Sequence, residues 1–529
     1  MSLKPSVQIW LSLGLWALTL CPARPVHAEA DATAEVLRRV EQDLAALRIE
    51  AAEARLRPLI DSGMVSPELL VQRGMLEFYQ GRYETGLQLV EQALANETEP
   101  SERARFDEAR ALLASTVRAT ERLEGTKSPD GRYEVYCSPG KDSVIVPYAL
   151  EVLTAADRAI TRRLGLRVPG PIRLEIYPSA DALALVSALT VEQIETTGTI
   201  ALSKWNRLMV TSPRALVRGY PWADTITHEL VHMVISRQTG DRAPVWLQEG
   251  TAKMLERAWR RNDHRMRLDP AARALLANAK HNDELLTFDE MHPSIAMLPS
   301  QDAAALAFAE VATFMERYVD EYGDRSLRTA LAAIGEGVDA RVALADAAER
   351  KFAELTHSWR SALPSAPEET GPRHLELRLK KGGSHADETL DVAQPPARRH
   401  MRLGDLLWDR GRAVAATIEY AKAAEEAPDD PIVGSRLARA ALAAGQPERA
   451  LTAMERLAKR YPDHAPSQAM LGAARLATGD RKNAAPALRE AIYINPFDPQ
   501  PHCDLARATD NARERDQELA TCDTLRQAR

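Results

Sequence analysis

Two histidines lie four residues apart in the stretch DTITHELVHMVISR, residues 224–237. On an α-helix, residues i and i+4 lie one turn apart on the same face, so His228 and His232 can direct their rings at one metal ion. Glu229 follows the first histidine, which leaves its carboxylate beside such an ion without coordinating it. That position suits a general base acting on water, so the stretch predicts a hydrolytic metal site.

A hydrolytic zinc site requires a third protein ligand and keeps a fourth position open. The stretch APVWLQEGTAKMLE begins 11 residues after His232 and is typical of the start of a second helix. Within it, Glu249 is the candidate third ligand. We therefore predict one Zn²⁺ per chain, bound by His228, His232 and Glu249, with Glu229 as the catalytic residue.

The motif H-E-x-x-H followed by W-L-x-E-G resembles the gluzincin branch of zinc metallopeptidases, in the peptidase MA superfamily. The resemblance covers residues 130–363 and implies the same three zinc ligands, with Glu229 as catalytic base and proton shuttle. It also implies an edge strand that pairs with an extended substrate, and the stretch TGTIALSKWNRLMVTSPRAL resembles that strand. The residues expected to line the substrate groove are Arg207, Leu208, Met209, Val210 and Thr211.

Two parts of the gluzincin pattern are missing. Such enzymes often stabilise the oxyanion with a Tyr or His, but Phe308 stands where a Tyr would be expected, and Tyr318, Tyr322 and His292 remain as alternatives. No stretch like G-x-M-E-N, whose carboxylate binds a free amine, precedes the metal motif. The resemblance therefore implies an endopeptidase rather than an aminopeptidase.

Residues 130–363 combine strands with helices. The short runs GRYEVYCS, PIRLEIYPS, GTIALS and NRLMVTSP are typical of strands, and a helix is predicted over 146–164 between the first two. After the last run the chain is mostly helical to residue 363. This order predicts an α+β fold, in agreement with the thermolysin-like metallopeptidase domain that the resemblance implies.

Small residues and prolines recur at a spacing of 34 in the C-terminal region, 397–529. The three series are Gly404, Ala438, Gly472 and Ala506; Ala416, Ala450 and Ala484; and Pro428, Pro462 and Pro496. The pattern resembles an all-α tetratricopeptide (TPR) array, which usually binds a peptide or a protein partner, although a rigid spacer is the alternative. The series fails at Glu518, so we expect the last hairpin to cap the array.

The N-terminal region, residues 29–125, is also predicted to be helical. Two of its helices meet around Gly81, and Gly74 and Gly86 stand where the helices must approach closely. This pair resembles one tetratricopeptide hairpin. Between the other parts, residues 364–396 are rich in Pro, Gly and charged residues and are predicted to form a linker.

Residues 1–28 have the pattern of a signal peptide: a positive start, an apolar run and a small-residue cleavage site. We therefore expect an exported protein, with the periplasm as the first choice and secretion or envelope association as alternatives. No other stretch is apolar enough to span a membrane. In an exported chain Cys503 and Cys522 can pair, or they can remain two buried thiols, and Cys137 is expected in the core.

Composition limits the function further. The chain has 529 residues, too many for one core, and a net charge of −7 with both signs well mixed. Because there is no basic field, we exclude binding to nucleic acid. The sequence predicts an exported zinc-dependent endopeptidase that acts on a protein or peptide substrate, with repeats that recruit that substrate or a partner. The alternative is a catalytically silent repeat scaffold that keeps a structural zinc site.

Overall fold

The structure is a computed structural model. It describes residues 26–527 except 98, 188, 262–264, 293, 365–374 and 381–387. The predicted signal peptide falls on residues 1–25 and the first residues of helix α1, so the apolar run lies outside the described residues. Across the described part of the chain, no helix combines the length and apolar character needed to cross a membrane.

Five helices form the N-terminal region. They are α1 (Val26–Ala45), α2 (Ile49–Asp61), α3 (Pro67–Tyr79), α4 (Tyr83–Asn96) and α5 (Pro100–Thr120). Helices α3 and α4 form the predicted hairpin around Gly81, which has a left-handed φ of 78°. The helices touch at Gly74, where a Cβ would lie 2.9 Å from the carbonyl oxygen of Gly86. Only glycine allows this approach.

A five-stranded sheet follows. Its strands are β1 (Glu124–Lys127), β2 (Tyr133–Cys137), β3 (Ile172–Tyr177), β4 (Ala201–Lys204) and β5 (Arg207–Thr211). The order is β1-β2-β3-β5-β4; the three central strands are parallel, and the two edge strands pair antiparallel with their neighbours. The four strands predicted from sequence are confirmed. The exposed strand β1, with the sequence EGTK, was missed because it has no apolar alternation.

The assignment of residues 207–211 to the edge strand was wrong. Strand β5 lies between β3 and β4, and all five of its residues are buried. Its apolar centre suits an interior position, whereas β4 is only half-buried and ends in Ser203 and the exposed Lys204. The sheet edge next to β5 is therefore formed by β4, the other strand of the same hairpin.

Helices that follow or lie between the strands complete the central domain. They are α6 (Val146–Leu164), α7 (Ala180–Leu185), α8 (Val191–Thr197), α9 (Trp222–Thr239), α10 (Val245–Leu255), α11 (Pro270–Asn282), α12 (Gln301–Gly335), α13 (Ala340–Ala348) and α14 (Phe352–Ala362). Helix α12 is broken at Gly323, which has non-helical φ and ψ. One apolar core joins the sheet to α6, α9, α10 and α12. The predicted α+β fold is confirmed.

The C-terminal array contains four helical hairpins within the described residues. The helices are α15 (Pro395–Asp409), α16 (Ala413–Glu426), α17 (Pro431–Ala443), α18 (Pro447–Arg460), α19 (Ala465–Ala477), α20 (Arg481–Ile494), α21 (Pro499–Ala508) and α22 (Ala512–Gln527). A disulfide joins Cys503 to Cys522 across the last hairpin. Cys137 is a buried free thiol in β2, and burial raises its pKa to about 11.

The array packs directly on the central domain. Its residues Ala484, Leu488 and Ile492 belong to the same apolar core as the sheet. The position where the repeat pattern fails has a direct role in this contact, because the buried carboxylate of Glu518 accepts a hydrogen bond from the Tyr148 hydroxyl at 2.8 Å. An ordinary small repeat residue could not make this bond.

Within the predicted linker, residues 364–396, the described residues 375–380 pack against the central domain, and we call them the strap. Leu379 forms an antiparallel bridge with Leu216, and the Lys380 N–H donates to the Ala215 carbonyl at 2.8 Å. Leu377 and Leu379 pack against the central core. The alternating leucines 375, 377 and 379 carried a strand signal that the surrounding polar composition obscured.

Candidate metal centre

Helix α9 carries the two histidines into the core of the central domain. Its apolar residues Ile226, Leu230, Met233 and Val234 are at most 2 % exposed, so the helix is fixed by packing on that face. Gly240 ends the helix in a left-handed conformation with φ 60°. The opposite face holds His228 and His232 at the edge of a cleft.

Helix α10 brings the third candidate ligand to the same place. The residue after Glu249 is Gly250, where a Cβ would lie 2.5 Å from the carbonyl oxygen of Val311 in α12. The glycine therefore lets α12 cross α10 directly beside Glu249. The same crossing puts Phe308 of α12 over the metal motif, with its ring centroid 6.2 Å from that of His228.

The three predicted ligands converge. The Glu249 Oε2 atom lies 3.1 Å from His228 Nε2 and 3.3 Å from His232 Nε2. One possible ligand atom from each residue lies within 4.8 Å of the others, and all three side chains are largely buried. The structure thus brings together His228, His232 and Glu249, as their spacing predicts.

Each histidine has a second contact behind the centre. His232 Nδ1 lies 3.3 Å from the Oε1 of Gln248, and His228 Nδ1 lies 3.6 Å from the Oε2 of Glu256. In the deprotonated rings that a metal requires, acceptors at both Nδ1 atoms favour the tautomer that leaves Nε2 free to bind. Lys253 holds Glu256 in place with an ion pair of 2.8 Å.

The sequence interpretation did not find Gln248 or Glu256. Gln248 directly precedes a ligand and has no pattern of its own. Glu256 directly follows α10 and lies seven residues, or two helical turns, after Glu249, so its position on the same side as Glu249 was a usable signal.

The ionisable groups in the centre shift the pKa values of one another. Burial alone would lower the pKa of His228, but hydrogen bonds that the ring donates to the Glu249 and Glu256 carboxylates outweigh burial and raise the pKa to about 10. Burial raises the pKa of Glu249, yet the two histidines hold it well below its usual value. The carboxylate therefore stays ionised, and a cation is the natural partner for this cluster.

Glu229 differs from Glu249 in its surroundings. It is only 5 % exposed, and burial raises its pKa against the lowering effect of the two histidines. A carboxylate with a raised pKa exchanges a proton more readily near neutral pH, as a general base must. The buried Tyr220 lies near Glu229, but its hydroxyl donates to the Thr211 carbonyl.

The centre opens into a cleft of about 570 Å³. Residues of β4, α9, α10 and α12 line the cleft, among them Phe308 of α12. The strap residues 375–378 and the array residues 461–464 also belong to the lining. Parts of the chain far apart in sequence therefore meet around His228.

The predicted alternatives for an oxyanion-stabilising residue do not reach this cleft. The Tyr318 hydroxyl is buried against Ser326 and the Leu344 carbonyl. The Tyr322 hydroxyl donates to Glu321, and His292 is exposed outside the cleft lining. Residues 207–211, predicted to line the groove, are not part of the lining either, because β4 covers that position at the sheet edge.

The donor set fits zinc. Two imidazole nitrogens and one carboxylate oxygen are the usual protein ligands of a hydrolytic zinc site, and they face a cleft that leaves room for a further ligand. Outer contacts from Gln248 and Glu256 already orient the rings. The residues present can therefore hold the metal without rearrangement of α9 or α10.

Comparisons with known proteins agree with this architecture. Residues 154–365 match the family model of the Peptidase MA superfamily, and residues 435–499 match a tetratricopeptide repeat model. The search of the curated proteins found no match.

Solved structures match about a quarter of the chain. A thermophilic TPR protein from Thermus thermophilus is 26% identical over 24% of this chain and 72% of its own, with a TM-score of 0.22. MamA from Desulfovibrio magneticus RS-1, residues 41 to the end, is 20% identical over 26% and 76%, also with a TM-score of 0.22. The chain combines a Peptidase MA superfamily domain with tetratricopeptide repeats.

Proposed function

We propose that this protein is an exported zinc-dependent endopeptidase. The observation that carries the proposal is the convergence of His228, His232 and Glu249 within 4.8 Å, beside a buried Glu229 and in a cleft bounded by a free sheet edge. Each of these features has a use in peptide hydrolysis. A purely structural zinc site would need neither the cleft nor the base.

The chain's own residues have separate roles in the proposed reaction. Zinc, when bound, supplies Lewis acidity, which makes water acidic near neutral pH and polarises a carbonyl. Glu229 accepts the proton of the attacking water and returns it to the leaving amine. Gln248 and Glu256 hold the rings of His232 and His228, so that little reorganisation accompanies the reaction.

Strand β4 is the proposed binding site for the substrate backbone. Its outer edge has no neighbouring strand among the described residues and lines the cleft from Ala201 to Lys204. An extended peptide can pair with such an edge through main-chain hydrogen bonds. This assignment replaces residues 207–211, which the sequence had suggested.

A second candidate function is a silent scaffold that retains zinc. Phe308 supports this candidate, because its ring faces His228 and cannot donate a hydrogen bond to an oxyanion. Under either proposal the array provides a surface for a protein partner. The Cys503–Cys522 disulfide supports an exported, oxidising location, and within that class we propose the periplasm.

Metal content is the first test. Elemental analysis of the full chain, loaded with zinc at neutral pH, should find one zinc per chain, and His228→Ala should lose it. Histidine ligands must be deprotonated to bind, so the zinc content should fall as the pH is lowered. Absence of zinc from the unaltered chain would refute the metal centre.

Turnover is the second test. Glu229→Gln should keep the zinc but lower the rate of peptide hydrolysis by about 10²–10⁴-fold. The matched control is Glu425→Gln on the exposed side of α16, which should leave both quantities unchanged. If the unaltered chain holds zinc and cleaves no peptide, the silent scaffold is the better description.

A further inference from the structure

The strap is fixed across one side of the cleft. The Val217 N–H donates to the Arg378 carbonyl at 2.9 Å, and the Arg218 guanidinium donates to the Glu376 carbonyl at 3.0 Å. These bonds join the strap to the segment that leads into α9. Leu375, at its start, packs instead against the apolar core of the array. The strap thus bridges the two parts of the molecule at the cleft.

The side-chain amide of Gln301 binds the backbone of the strap through two hydrogen bonds, as a neighbouring strand would. Its side-chain Oε1 accepts from the Leu377 N–H at 2.8 Å, and its Nε2 donates to the Leu377 carbonyl at 3.2 Å. The same amide group covers Gly198, where a Cβ would lie 3.0 Å from Gln301 Cδ. Gln301 and Leu377 therefore lie beside the chain segment that leads into the first residue of β4.

This position limits the length of a substrate strand. Strand β4 offers four residues, Ala201–Lys204, which is about 13 Å of extended backbone. A peptide that continued along the edge towards Gly198 would collide with Gln301 and the strap. At the other end of β4, the turn at Trp205 and Asn206 is packed against the N-terminal helices, where Asn206 donates to the Tyr79 carbonyl.

The array limits the cleft on a third side. Its residues 461–464, between α18 and α19, belong to the cleft lining. Asp463 in this loop forms an ion pair of 2.5 Å with Arg267, which also lines the cleft. The volume of about 570 Å³ lies in the range of sites that enclose a single small ligand.

From these contacts we infer that the cleft selects short, unfolded peptides over folded proteins and long chains. This inference rests on the proposed endopeptidase function and adds the substrate class to it. The strap would act as a stop at one end of the substrate, so that one side of the cleaved bond carries only a few residues. The protein would then hydrolyse short peptides and would not cleave folded proteins.

The test uses one cleaved sequence in several lengths. A randomised six-residue peptide library incubated with the zinc-loaded full chain identifies a cleaved sequence, which is then extended by ten or twenty Gly and Ser residues at either end. We expect extension at one end to lower kcat/KM by at least about tenfold. Equal kcat/KM for all lengths would overturn the inference and leave the proposed function intact.

A variant of the strap contact checks the cause. Gln301→Ala removes both hydrogen bonds to Leu377, so the penalty for extension should shrink several-fold relative to the unaltered chain. Gln80→Ala is the matched control, because Gln80 makes a comparable side-chain bond to Glu53 far from the cleft. If Gln301→Ala does not fold, Leu377→Ala loosens the strap by a different route, because it removes the packing of the Leu377 side chain against the central core. A penalty unchanged in the folded variant would overturn the role of the strap.

A binding measurement separates this inference from turnover. Zinc-loaded Glu229→Gln can be titrated with labelled six-residue and extended peptides, with fluorescence anisotropy as the readout. We expect the extended peptides to bind more weakly, by the same factor that lowers kcat/KM. Similar Kd values for both lengths would overturn the inference. Absence of cleavage of any peptide by the unaltered chain would overturn the proposed function, and this inference with it.

Discussion

The buried charges around His228 can be compared with a second group of buried charges, between the sheet and the N-terminal helices, which does not line the cleft. The metal cluster consists of His228, Glu229, His232 and Glu249. The sheet cluster consists of Tyr83, Arg173, Glu175, Tyr177 and Arg207, between the sheet and the N-terminal helices. Both are largely buried and rich in ionisable groups, so burial and charge do not distinguish them.

The arrangement of donors and acceptors does distinguish them. In the sheet cluster both oxygens of Glu175 are satisfied, Oε1 by Arg173 at 2.6 Å and Oε2 by the Tyr177 hydroxyl at 2.5 Å. Although burial raises its pKa, Arg207 and Arg173 hold the pKa of Glu175 below its usual value. In the metal cluster, by contrast, one possible metal-ligand atom from each of His228, His232 and Glu249 lies within 4.8 Å of the others.

The comparison predicts the largest loss of stability in the sheet cluster. Glu175→Ala leaves the guanidinium groups of Arg173 and Arg207 buried without their carboxylate, so the free energy of unfolding should fall by about 3–5 kcal/mol. Urea denaturation followed by circular dichroism measures the change. Zinc content of the folded protein should stay the same, because the two clusters share no residue.

Glu175→Gln is the milder control for this prediction. Glutamine keeps hydrogen-bonding capacity but removes the charge, so its loss of stability should be smaller than that of Glu175→Ala. An unchanged urea midpoint in both variants would show that the sheet cluster does not hold the N-terminal helices in place.

The sequence predicted that the residues of the metal cluster lie together, but it gave Arg207 of the sheet cluster the wrong position in the sheet. The reason is physical. Spacing along one helix fixes which residues share a face, so the sequence alone is enough to pair His228 with His232. Strand order depends instead on pairing between distant segments. Arg207 was therefore predicted at a sheet edge, although β3 and the N-terminal helices bury it.

The strap shows the same limit. Its composition predicted a linker, and its alternating leucines were too short a signal to outweigh the surrounding Pro, Gly and charged residues. Its contacts with Gln301 and Leu216 join segments more than 70 residues apart in sequence. Such contacts are fixed only when the whole chain is folded.

A third buried carboxylate has surroundings unlike those of either cluster. Glu310 of α12 is fully buried; its Oε1 accepts from the Leu286 N–H at 2.9 Å, and its Oε2 has no hydrogen-bond partner in the described part of the chain. Burial raises its pKa to about 8. It belongs neither to the paired sheet cluster nor to the cleft, so its burial should cost stability.

The raised pKa of Glu310 determines how the stability of the protein changes with pH. Between pH of about 4.5 and 8 the folded state keeps a proton on Glu310 that the unfolded state has lost, so stability falls as the pH rises, by at most about 1.4 kcal/mol per pH unit. Glu310→Gln removes this term and should stabilise the protein by roughly 2–4 kcal/mol at pH 8, with little change near pH 4.5. Urea denaturation at both pH values measures the difference. A gain that does not depend on pH would contradict the assignment.

The smallest predicted effect concerns the outer contacts of the metal cluster. Gln248→Leu removes the oxygen that accepts from His232 Nδ1, so the ring is no longer held with its Nε2 towards Glu249. Zinc affinity should fall about tenfold, whereas the stability of the metal-free protein should change by less than about 1 kcal/mol. Competition with a fluorescent zinc chelator measures the affinity.

Gln80→Leu in the N-terminal helices is the control, and it should leave zinc affinity unchanged. The two clusters then respond in opposite ways: loss of a partner in the sheet cluster lowers stability and spares zinc, whereas loss of Gln248 lowers zinc affinity and spares stability. A Gln248→Leu variant that binds zinc as tightly as the unaltered chain would show that Glu249 and the packing of α9 are sufficient to orient the ligands.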